Sequence, residues 1–225
     1  MQYYLIHNDE IGQQFLRELR AAALRGVRVR LLVDDLYTAG ENALLAGLAA
    51  YPNVEVRLFN PLPVRAGSFG WRLLFSLHEL GRINHRMHNK QFIADNSFAV
   101  LGGRNIADEY FMHSAAANFI DLDVLTSGPV VRELSAVFDT YWNSEEVLAI
   151  AGVVEPVPPA EAQQRLDDLV RNAHCRAPSR RAGPHARRAA ARQRRVSSRP
   201  SRPRASSPTR PTRRPARYAV PARRP

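Results

Sequence analysis

The sequence lacks several common features: it has one cysteine, Cys175, one lysine, Lys90, and no long apolar run. A single cysteine excludes a disulfide within the chain. No stretch approaches the roughly 18 consecutive apolar residues that predict a transmembrane helix. The opening residues MQYYLIHNDE have no basic segment followed by an apolar one, which argues against a secretory signal peptide. These absences predict a cytoplasmic protein that meets a membrane, if at all, only at its surface.

Acidic residues are absent from the C-terminal tail, residues 174–225. This tail holds 17 of the 32 basic residues and 9 of the 16 prolines. The rest of the chain has 15 basic and 21 acidic residues, so the net charge of +11 arises from the tail. We predict a disordered tail that binds polyanions non-specifically, because its composition cannot bury enough apolar surface to offset its chain entropy. Its abrupt start also suggests translation of a GC-rich gene in a wrong frame.

Hydrophobic periodicity upstream of the tail predicts alternating strands and helices. Three strands are predicted at residues 2–6, 27–35 and 54–60. One helix is predicted from Asn8, as its N-cap, to Leu24, and a second over residues 41–50. The order strand, helix, strand, helix, strand predicts an α/β fold with a mostly parallel or mixed central sheet flanked by helices.

A hairpin and two further elements follow. The apolar runs KQFIAD and FAVLGG meet at the turn residues DNS, which predicts two strands joined by a tight turn. A strand is predicted over residues 119–129 and a helix over residues 130–142. We divide the chain into a domain over residues 1–150, a linker with a final helix over residues 151–173, and the tail. The linker itself is predicted at residues 153–162, and the helix at residues 160–172.

The hairpin carries the stretch HNKQFIADNSFAVLGGRN, residues 88–105. His88 and Lys90 are two residues apart, which on a strand places both side chains on one face. Asp95 ends this strand at the turn. The second arm of the hairpin then ends in Gly102, Gly103, Arg104 and Asn105. The hairpin is therefore predicted to return glycine and asparagine to the end of the sheet where the histidine and lysine lie.

This set of residues suits phosphoryl transfer without a metal or another cofactor. A neutral imidazole, here His88, is a nucleophile toward phosphorus. The ammonium of Lys90 is a compact charge with three donors for phosphate oxygens, and the bulkier planar guanidinium of arginine does not replace it. Asn105 can donate its amide to a second oxygen, and Gly102 and Gly103 let the backbone approach the phosphate closely.

The same stretch resembles the HxK(x)4D(x)6GGxN signature of the phospholipase D superfamily. The stretches NVEVRLFNP, FIDLDVLTSGPVV and VFDTYWNS are similar to its cardiolipin synthase branch, above all to the C-type members. The resemblance covers about residues 2–172. It implies an N-terminal lobe of a phosphatidyltransferase or phosphodiesterase that acts on a phosphatidylglycerol-like phospholipid. It also implies a peripheral position on the inner membrane.

The resemblance implies a role for each motif residue. In this family one histidine attacks the phosphodiester to form a phosphohistidine, and a second histidine protonates the leaving group. His88 would be the nucleophile or its acid–base partner, and Lys90 and Asn105 would bind phosphate with the two glycines. Asp95 would support the motif structurally. Asp121 matches the family carboxylate that orients the histidine.

Four other titratable residues near the motif match its pattern less well or not at all. Asp108 and Glu109 are weaker candidates for the orienting carboxylate and are expected to be surface or cap residues. His85 and His113 match no motif position, and we expect both to be loop residues.

The family site needs two such motifs, and no second His-x-Lys follows Lys90. A homodimer with one motif from each subunit would complete the site. Otherwise the chain is a truncated, catalytically inactive lobe. Two alternatives to a lipid-directed enzyme stay open. One is a phospholipase D-fold nuclease active as a homodimer, in which the basic tail helps to bind nucleic acid. The other is a non-catalytic protein whose tail binds anionic lipid or nucleic acid.

Residues 61–80, before the hairpin, have two interpretations. Proline and glycine predict a loop, and the run from Trp71 to Leu77 predicts an apolar helical piece. This piece is interpreted either as a lid or packing helix, or as a surface that contacts lipid acyl chains.

Overall fold

The computed structural model describes residues 1–38, 40–63, 70, 81 and 85–171. These residues contain seven strands: β1 (Gln2–Tyr3), β2 (Val29–Asp34), β3 (Val54–Phe59), β4 (Gln91–Ala94), β5 (Phe98–Gly102), β6 (Asp123–Ser127) and β7 (Val147–Ala149). They also contain four α-helices: α1 (Glu10–Leu24), α2 (Asn42–Ala49), α3 (Val130–Trp142) and α4 (Pro159–Val170). Most of residues 61–80, with their two interpretations, lie outside the described residues, as does the tail.

All seven strands belong to one sheet, in the order β6, β5, β4, β1, β2, β3, β7. The strands β1, β2 and β3 are parallel, with Gln2 beside Leu32 and Val29 beside Val54. On one side β4, β5 and β6 continue the sheet in antiparallel fashion, and on the other side β7 is antiparallel to β3. The predicted α/β fold with a mixed sheet and flanking helices is therefore confirmed.

Helix α1 begins one residue later than predicted, because its N-cap is Asp9 and not Asn8. The Oδ1 atom of Asp9 accepts a hydrogen bond from the backbone N–H of Gly12 at 2.9 Å. The side-chain oxygen of Asn8 instead accepts a hydrogen bond from Gln13 Nε2 at 2.9 Å. None of the helices in the described part of the chain combines the length and apolar character needed to cross a bilayer.

The sheet has an apolar core on each face. Side chains from α1, α2 and α4 pack against one face, where the strands contribute Val29, Leu31, Val33, Val54, Val56 and Leu58. Helix α3 covers the other face, where Leu32, Phe59 and Met87 meet Phe138 and Trp142. Leu31, Leu32 and Val33 of β2 form a continuous apolar run because both faces of the sheet are covered there.

Helix α4 begins at Pro159, inside the stretch predicted as a linker. Its residues Leu166 and Val170 are buried in the core on the α1 and α2 face. A Cβ atom on Gly47 of α2 would lie 2.7 Å from the carbonyl oxygen of Ala162. The two helices therefore pack too closely to admit a side chain at this glycine.

Candidate active site

His88 and Lys90 lie in a segment, residues 85–90, that leads into β4. The prediction that both belong to a strand is wrong, because β4 begins at Gln91. Their side chains nevertheless meet at one residue, Tyr4, which follows β1. The ring centroids of His88 and Tyr4 are 4.7 Å apart, and Lys90 Nζ lies 5.2 Å from the Tyr4 centroid. The aromatic ring of Tyr4 therefore joins the two motif residues.

Lys90 is buried, with only 6% of its surface exposed. Its ammonium donates a hydrogen bond to the backbone carbonyl of His88 at 2.7 Å. Burial lowers the pKa of Lys90 to about 8, while the negative charges of Asp121 and Asp34 act in the opposite direction. The side chain therefore stays mostly protonated at pH 7 and can serve as an ammonium donor to an anion.

His88 is the exposed member of the pair. Partial desolvation lowers its pKa, the charge of Lys90 lowers the pKa further, and Asp34 raises it. The imidazole is therefore neutral at pH 7. That protonation state leaves a nitrogen lone pair available for nucleophilic attack.

Asp34, at the carboxyl end of β2, was not singled out in the sequence. It is fully buried, and its Oδ2 atom accepts a hydrogen bond from Met87 N at 3.0 Å. Its Oδ1 atom accepts one from Arg86 Nη1 at 3.1 Å. A signal was present, because an acidic residue ends a buried strand of a parallel sheet, and ligands bind beyond the carboxyl ends of such strands.

The two glycines of the motif lie where β5 ends and β6 begins. The backbone N–H of Gly102 donates to the carbonyl of Lys90 at 3.1 Å. A Cβ atom on Gly103 would lie 1.9 Å from Asp121 Oδ1, and one on Gly102 would lie 2.1 Å from Asp123 Oδ1. Neither position can carry a side chain without moving a neighbouring carboxylate. The glycines thus make room for the carboxylates of Asp121 and Asp123. The sequence suggests a different role for them, which is to let the backbone approach a phosphate.

Asp121 lies close enough to Lys90 to favour its charged form. Within residues 85–171, no hydrogen bond joins Asp121 to His88; its Oδ1 atom accepts one from Leu122 N at 3.1 Å. Arg104 holds the segment, because Nη2 donates to the carbonyl of Asp121 at 2.9 Å. The same guanidinium pairs with Asp123, at 2.6 Å. The structure therefore brings Asp121 to the lysine of the motif.

Asn105 is also buried, with 2% of its surface exposed. Its Nδ2 atom donates to Tyr110 Oη at 2.9 Å. The amide carries a second N–H donor. The Oδ1 atom has no hydrogen-bond partner in the described part of the chain.

Asp95 lies at the opposite end of β4. It forms the hairpin turn with Asn96, and both have left-handed backbones, with φ of 50° and 52°. The N–H of Ser97 closes the turn on the carbonyl of Ala94 at 2.9 Å. The rise along a strand puts Asp95 about 16 Å from Lys90. It shapes the turn, since aspartate and asparagine tolerate this backbone, and lies too far away to contact the same phosphate group.

Two of the remaining titratable candidates, Asp108 and His113, contact the N-terminal end of α1. Asp108 Oδ1 accepts a hydrogen bond from Ile11 N at 2.9 Å, so it caps the helix as expected. His113 Nδ1 lies 3.6 Å from Glu10 Oε2. Among residues 1–38, 40–63 and 85–171, no three His, Cys, Asp or Glu side chains come together as a metal site requires.

Comparison with known proteins places this sequence in a family. Residues 1–142 match the family described as "Cardiolipin synthase, PLD-like domain". Cardiolipin synthase C of Escherichia coli (strain K12) is 42% identical over 170 residues, which cover 74% of this chain and 34% of that protein. An uncharacterized protein of Helicobacter pylori (strain J99) is 39% identical over 151 residues, or 67% of this chain and 30% of that protein.

A third relative is more distant. The cardiolipin synthase of Geobacillus kaustophilus (strain HTA426) is 34% identical over 160 residues, which cover 69% of this chain and 29% of that protein. The chain thus spans about a third of the length of the curated relatives it matches. The family match covers well over half of the chain, and the predicted resemblance is confirmed. The chain belongs to the phospholipase D-like domain family of the cardiolipin synthases.

Proposed function

We propose that the chain is one lobe of a phospholipase D-type phosphatidyltransferase that acts on phospholipids at the membrane surface, with His88 as its nucleophile. The observation that carries the proposal is the shared contact of an exposed imidazole and a buried ammonium with Tyr4. A neutral imidazole supplies the nucleophile, and Lys90 supplies the charge that a phosphate needs. The names of the relatives support a phospholipid as the substrate.

In the first step, a nitrogen of the His88 imidazole attacks the phosphorus of a phosphodiester. The bond between phosphorus and the leaving alcohol breaks, and that oxygen takes a proton from a general acid. The product is a phosphohistidine. The ammonium of Lys90 and the second amide N–H of Asn105 bind the non-bridging oxygens and stabilise the charge that develops on them.

In the second step, the hydroxyl of an acceptor lipid or of water attacks the phosphohistidine. A general base takes the proton of that hydroxyl, the bond between phosphorus and nitrogen breaks, and His88 returns as a neutral imidazole. We propose that a histidine from a second motif acts as this acid and base. Because the 225 residues contain one His-x-Lys motif, the second comes from another copy of the chain or from a second lobe.

The test is an assay with vesicles that contain phosphatidylglycerol. We expect release of glycerol, formation of a new phosphodiester lipid, and a phosphohistidine that can be trapped by rapid quenching. His88→Ala should abolish both products and the trapped species. His85→Ala is the matched control, because His85 is an exposed histidine three residues away. Turnover that survives in His88→Ala would remove His88 from the mechanism.

A second candidate function is hydrolysis of nucleic acid by the same chemistry, which the 17 arginines of residues 174–225 favour. Cleavage of single-stranded DNA and of phosphatidylglycerol vesicles should be compared for the full chain and for a chain that ends at residue 173. Preference for DNA in the shorter chain would favour the nuclease. Sedimentation then measures the mass of the active species, and a mass of two chains identifies the homodimer. A monomer without turnover on either substrate identifies an inactive lobe.

A further inference from the structure

The segment that carries His88 is held by side chains and not by a strand ladder. Asn60 Nδ2 donates to the carbonyl of His85 at 2.8 Å. Arg86 Nη1 donates to the carbonyl of Asn60 at 3.2 Å and to Asp34 Oδ1 at 3.1 Å. The N–H of Met87 donates to Asp34 Oδ2 at 3.0 Å. The residues immediately before His88 are therefore attached to the carboxyl ends of β2 and β3.

Asp34 is the central acceptor of this arrangement. Its side chain has no exposure, and that of Arg86 is 12% exposed. Met87, between Arg86 and His88, has 0% exposure and packs against Phe138 and Trp142 of α3. Both the backbone and the side chain of the residue before His88 are thus fixed, so the position from which the imidazole projects depends on the carboxylate of Asp34.

We propose that Asp34 is a positioning residue of the candidate site: it binds the backbone before His88 and presents a buried negative charge to His88 and Lys90. The predicted effect on turnover rests on the proposed function, whereas the effect on the lysine charge does not. Buried carboxylates are costly unless they are paired and hydrogen-bonded, and Asp34 is bonded by two groups of the segment that it holds. A misplacement of about 1 Å at a reacting group can cost on the order of 100-fold in rate.

Asp34 and Asp121 are the carboxylates that act on the charges of His88 and Lys90. Lys90 is influenced by Asp121 and Asp34, and His88 by Lys90 and Asp34. The ring of Tyr4 contacts both side chains. Burial raises the pKa of its hydroxyl to about 12, so Tyr4 carries no charge near neutral pH. Loss of the Asp34 charge leaves Asp121 as the carboxylate that favours the protonated lysine.

The single lysine allows a direct measurement. In protein labelled with 13C at the ε carbon of lysine, the full chain gives one lysine resonance, which reports the titration of Lys90. We expect a midpoint near pH 8 in the unmodified chain. In Asp34→Asn the midpoint should fall by about half a pH unit or more, because a facing negative charge is lost.

Asp35→Asn is the matched control. Asp35 is the next residue and equally buried, and its Oδ2 atom accepts a hydrogen bond from Leu62 N at 2.8 Å. The carboxylates that raise the pKa of Lys90 are Asp121 and Asp34. Its substitution should leave the Lys90 midpoint in place. An unchanged midpoint in a folded Asp34→Asn protein, or an equal shift in both variants, would show that the Asp34 carboxylate does not specifically favour the protonated form of Lys90.

Turnover of phosphatidylglycerol in vesicles distinguishes the effect of where the Asp34 carboxylate lies from the effect of its charge. Asp34→Glu keeps the charge and displaces the carboxylate, so we expect a midpoint near that of the unmodified chain and a fall in kcat of about 10- to 100-fold. Normal kcat in Asp34→Glu would overturn the positioning role, and this variant decides the question if Asp34→Asn fails to fold. Should the unmodified chain show no turnover on any substrate, the proposed function fails while the lysine titration still decides whether Asp34 acts on Lys90.

Discussion

Oδ1 of Asp121 occupies the space where Gly103 would carry a side chain, only 1.9 Å from an ideal Cβ position. Asp121 is also the carboxylate with the largest favourable effect on the charge of Lys90. The second glycine of the motif and its lysine are therefore linked through a residue that lies 18 positions beyond the glycine. A methyl group at Gly103 must displace Asp121 or the backbone beside it.

Gly103→Ala should therefore reduce both stability and turnover. We expect a loss of about 1–3 kcal/mol in the free energy of unfolding, as for other overpacked sites, and a lower titration midpoint for Lys90. Denaturant unfolding and the labelled-lysine spectrum measure the two effects. Gly152→Ala is the matched control, because a Cβ atom there meets nothing within 4 Å. Equal behaviour of the two variants would show that Asp121 moves without consequence.

Lys90→Arg should abolish turnover while the fold is retained. The position is 6% exposed and lies against Tyr4, so the planar, longer guanidinium cannot place its charge where the ammonium lies. We expect a fall in turnover of at least about 100-fold, on the scale of a lost transition-state donor. Arg165→Lys, at an exposed position of α4, provides the reverse exchange as a control. Substantial activity in Lys90→Arg would mean that the charge alone suffices.

The pH dependence of turnover should follow the same lysine. Its pKa is lowered to about 8, so the ammonium is lost as the pH rises through 8. The pKa of His88 is lowered below its ordinary 6.5, so its imidazole is already neutral at pH 7. Activity should therefore be high near neutral pH and fall above pH 8. Constant turnover up to about pH 9.5 would exclude a protonated lysine from the rate-limiting step.

The same shift has a defined effect on stability. Between pH 8 and the ordinary lysine pKa of 10.5, the unfolded chain binds the proton that the folded chain has released. The free energy of unfolding therefore gains a contribution that increases with pH across this window. Comparison of the unmodified chain with Lys90→Met isolates this contribution, because the variant has no titrating group at the position.

Tyr4 should act through its ring and not through its hydroxyl. Tyr4→Phe keeps the ring face that contacts His88 and Lys90, so we expect turnover close to that of the unmodified chain. Tyr4→Leu removes the contact with the ammonium, which is worth about 0.5–2 kcal/mol, and should lower turnover about tenfold. Steady-state assays of the two variants measure the difference, and equal losses in both would assign the effect to the hydroxyl.

Helix α4 should contribute to the stability of the domain. Leu166 is fully buried against α2, so Leu166→Ala should cost about 2–5 kcal/mol in the free energy of unfolding. Leu24→Ala, at the exposed end of α1, should cost less than about 0.5 kcal/mol. Denaturant unfolding of both variants provides the comparison. A small effect at Leu166 would mean that α4 detaches from the domain before it unfolds.

Much of the fold could be predicted from the sequence because its signals are local. The alternation of β2 and β3 with α1 and α2, the hairpin around Asp95 and Asn96, and helix α3 all follow from periodicity and turn residues. The N-cap of α1 was misplaced by one residue because Asn8 and Asp9 are both good caps, and the choice depends on the contact between Asn8 and Gln13.

The candidate site could be predicted only where one hairpin carries it. Tyr4 and Asp34 could not be found in this way, because they lie 84 and 54 residues before His88 in the sequence. They reach the motif since β4 pairs with β1, whose other neighbour is β2. Strand order is a long-range property that periodicity does not contain. The buried state of Lys90 likewise depends on these neighbours.

The hairpin explains the spacing of the residues in the motif. The four residues between Lys90 and Asp95 are strand β4 itself, and the six between Asp95 and Gly102 complete the turn and most of β5. The two arms therefore have the lengths that allow the N–H of Gly102 to donate to the carbonyl of Lys90. One residue inserted into either arm would reverse the facing of every side chain beyond it. Asp95 thus forms the turn that sets the register of the two arms, although it lies at the far end of the strand from Lys90.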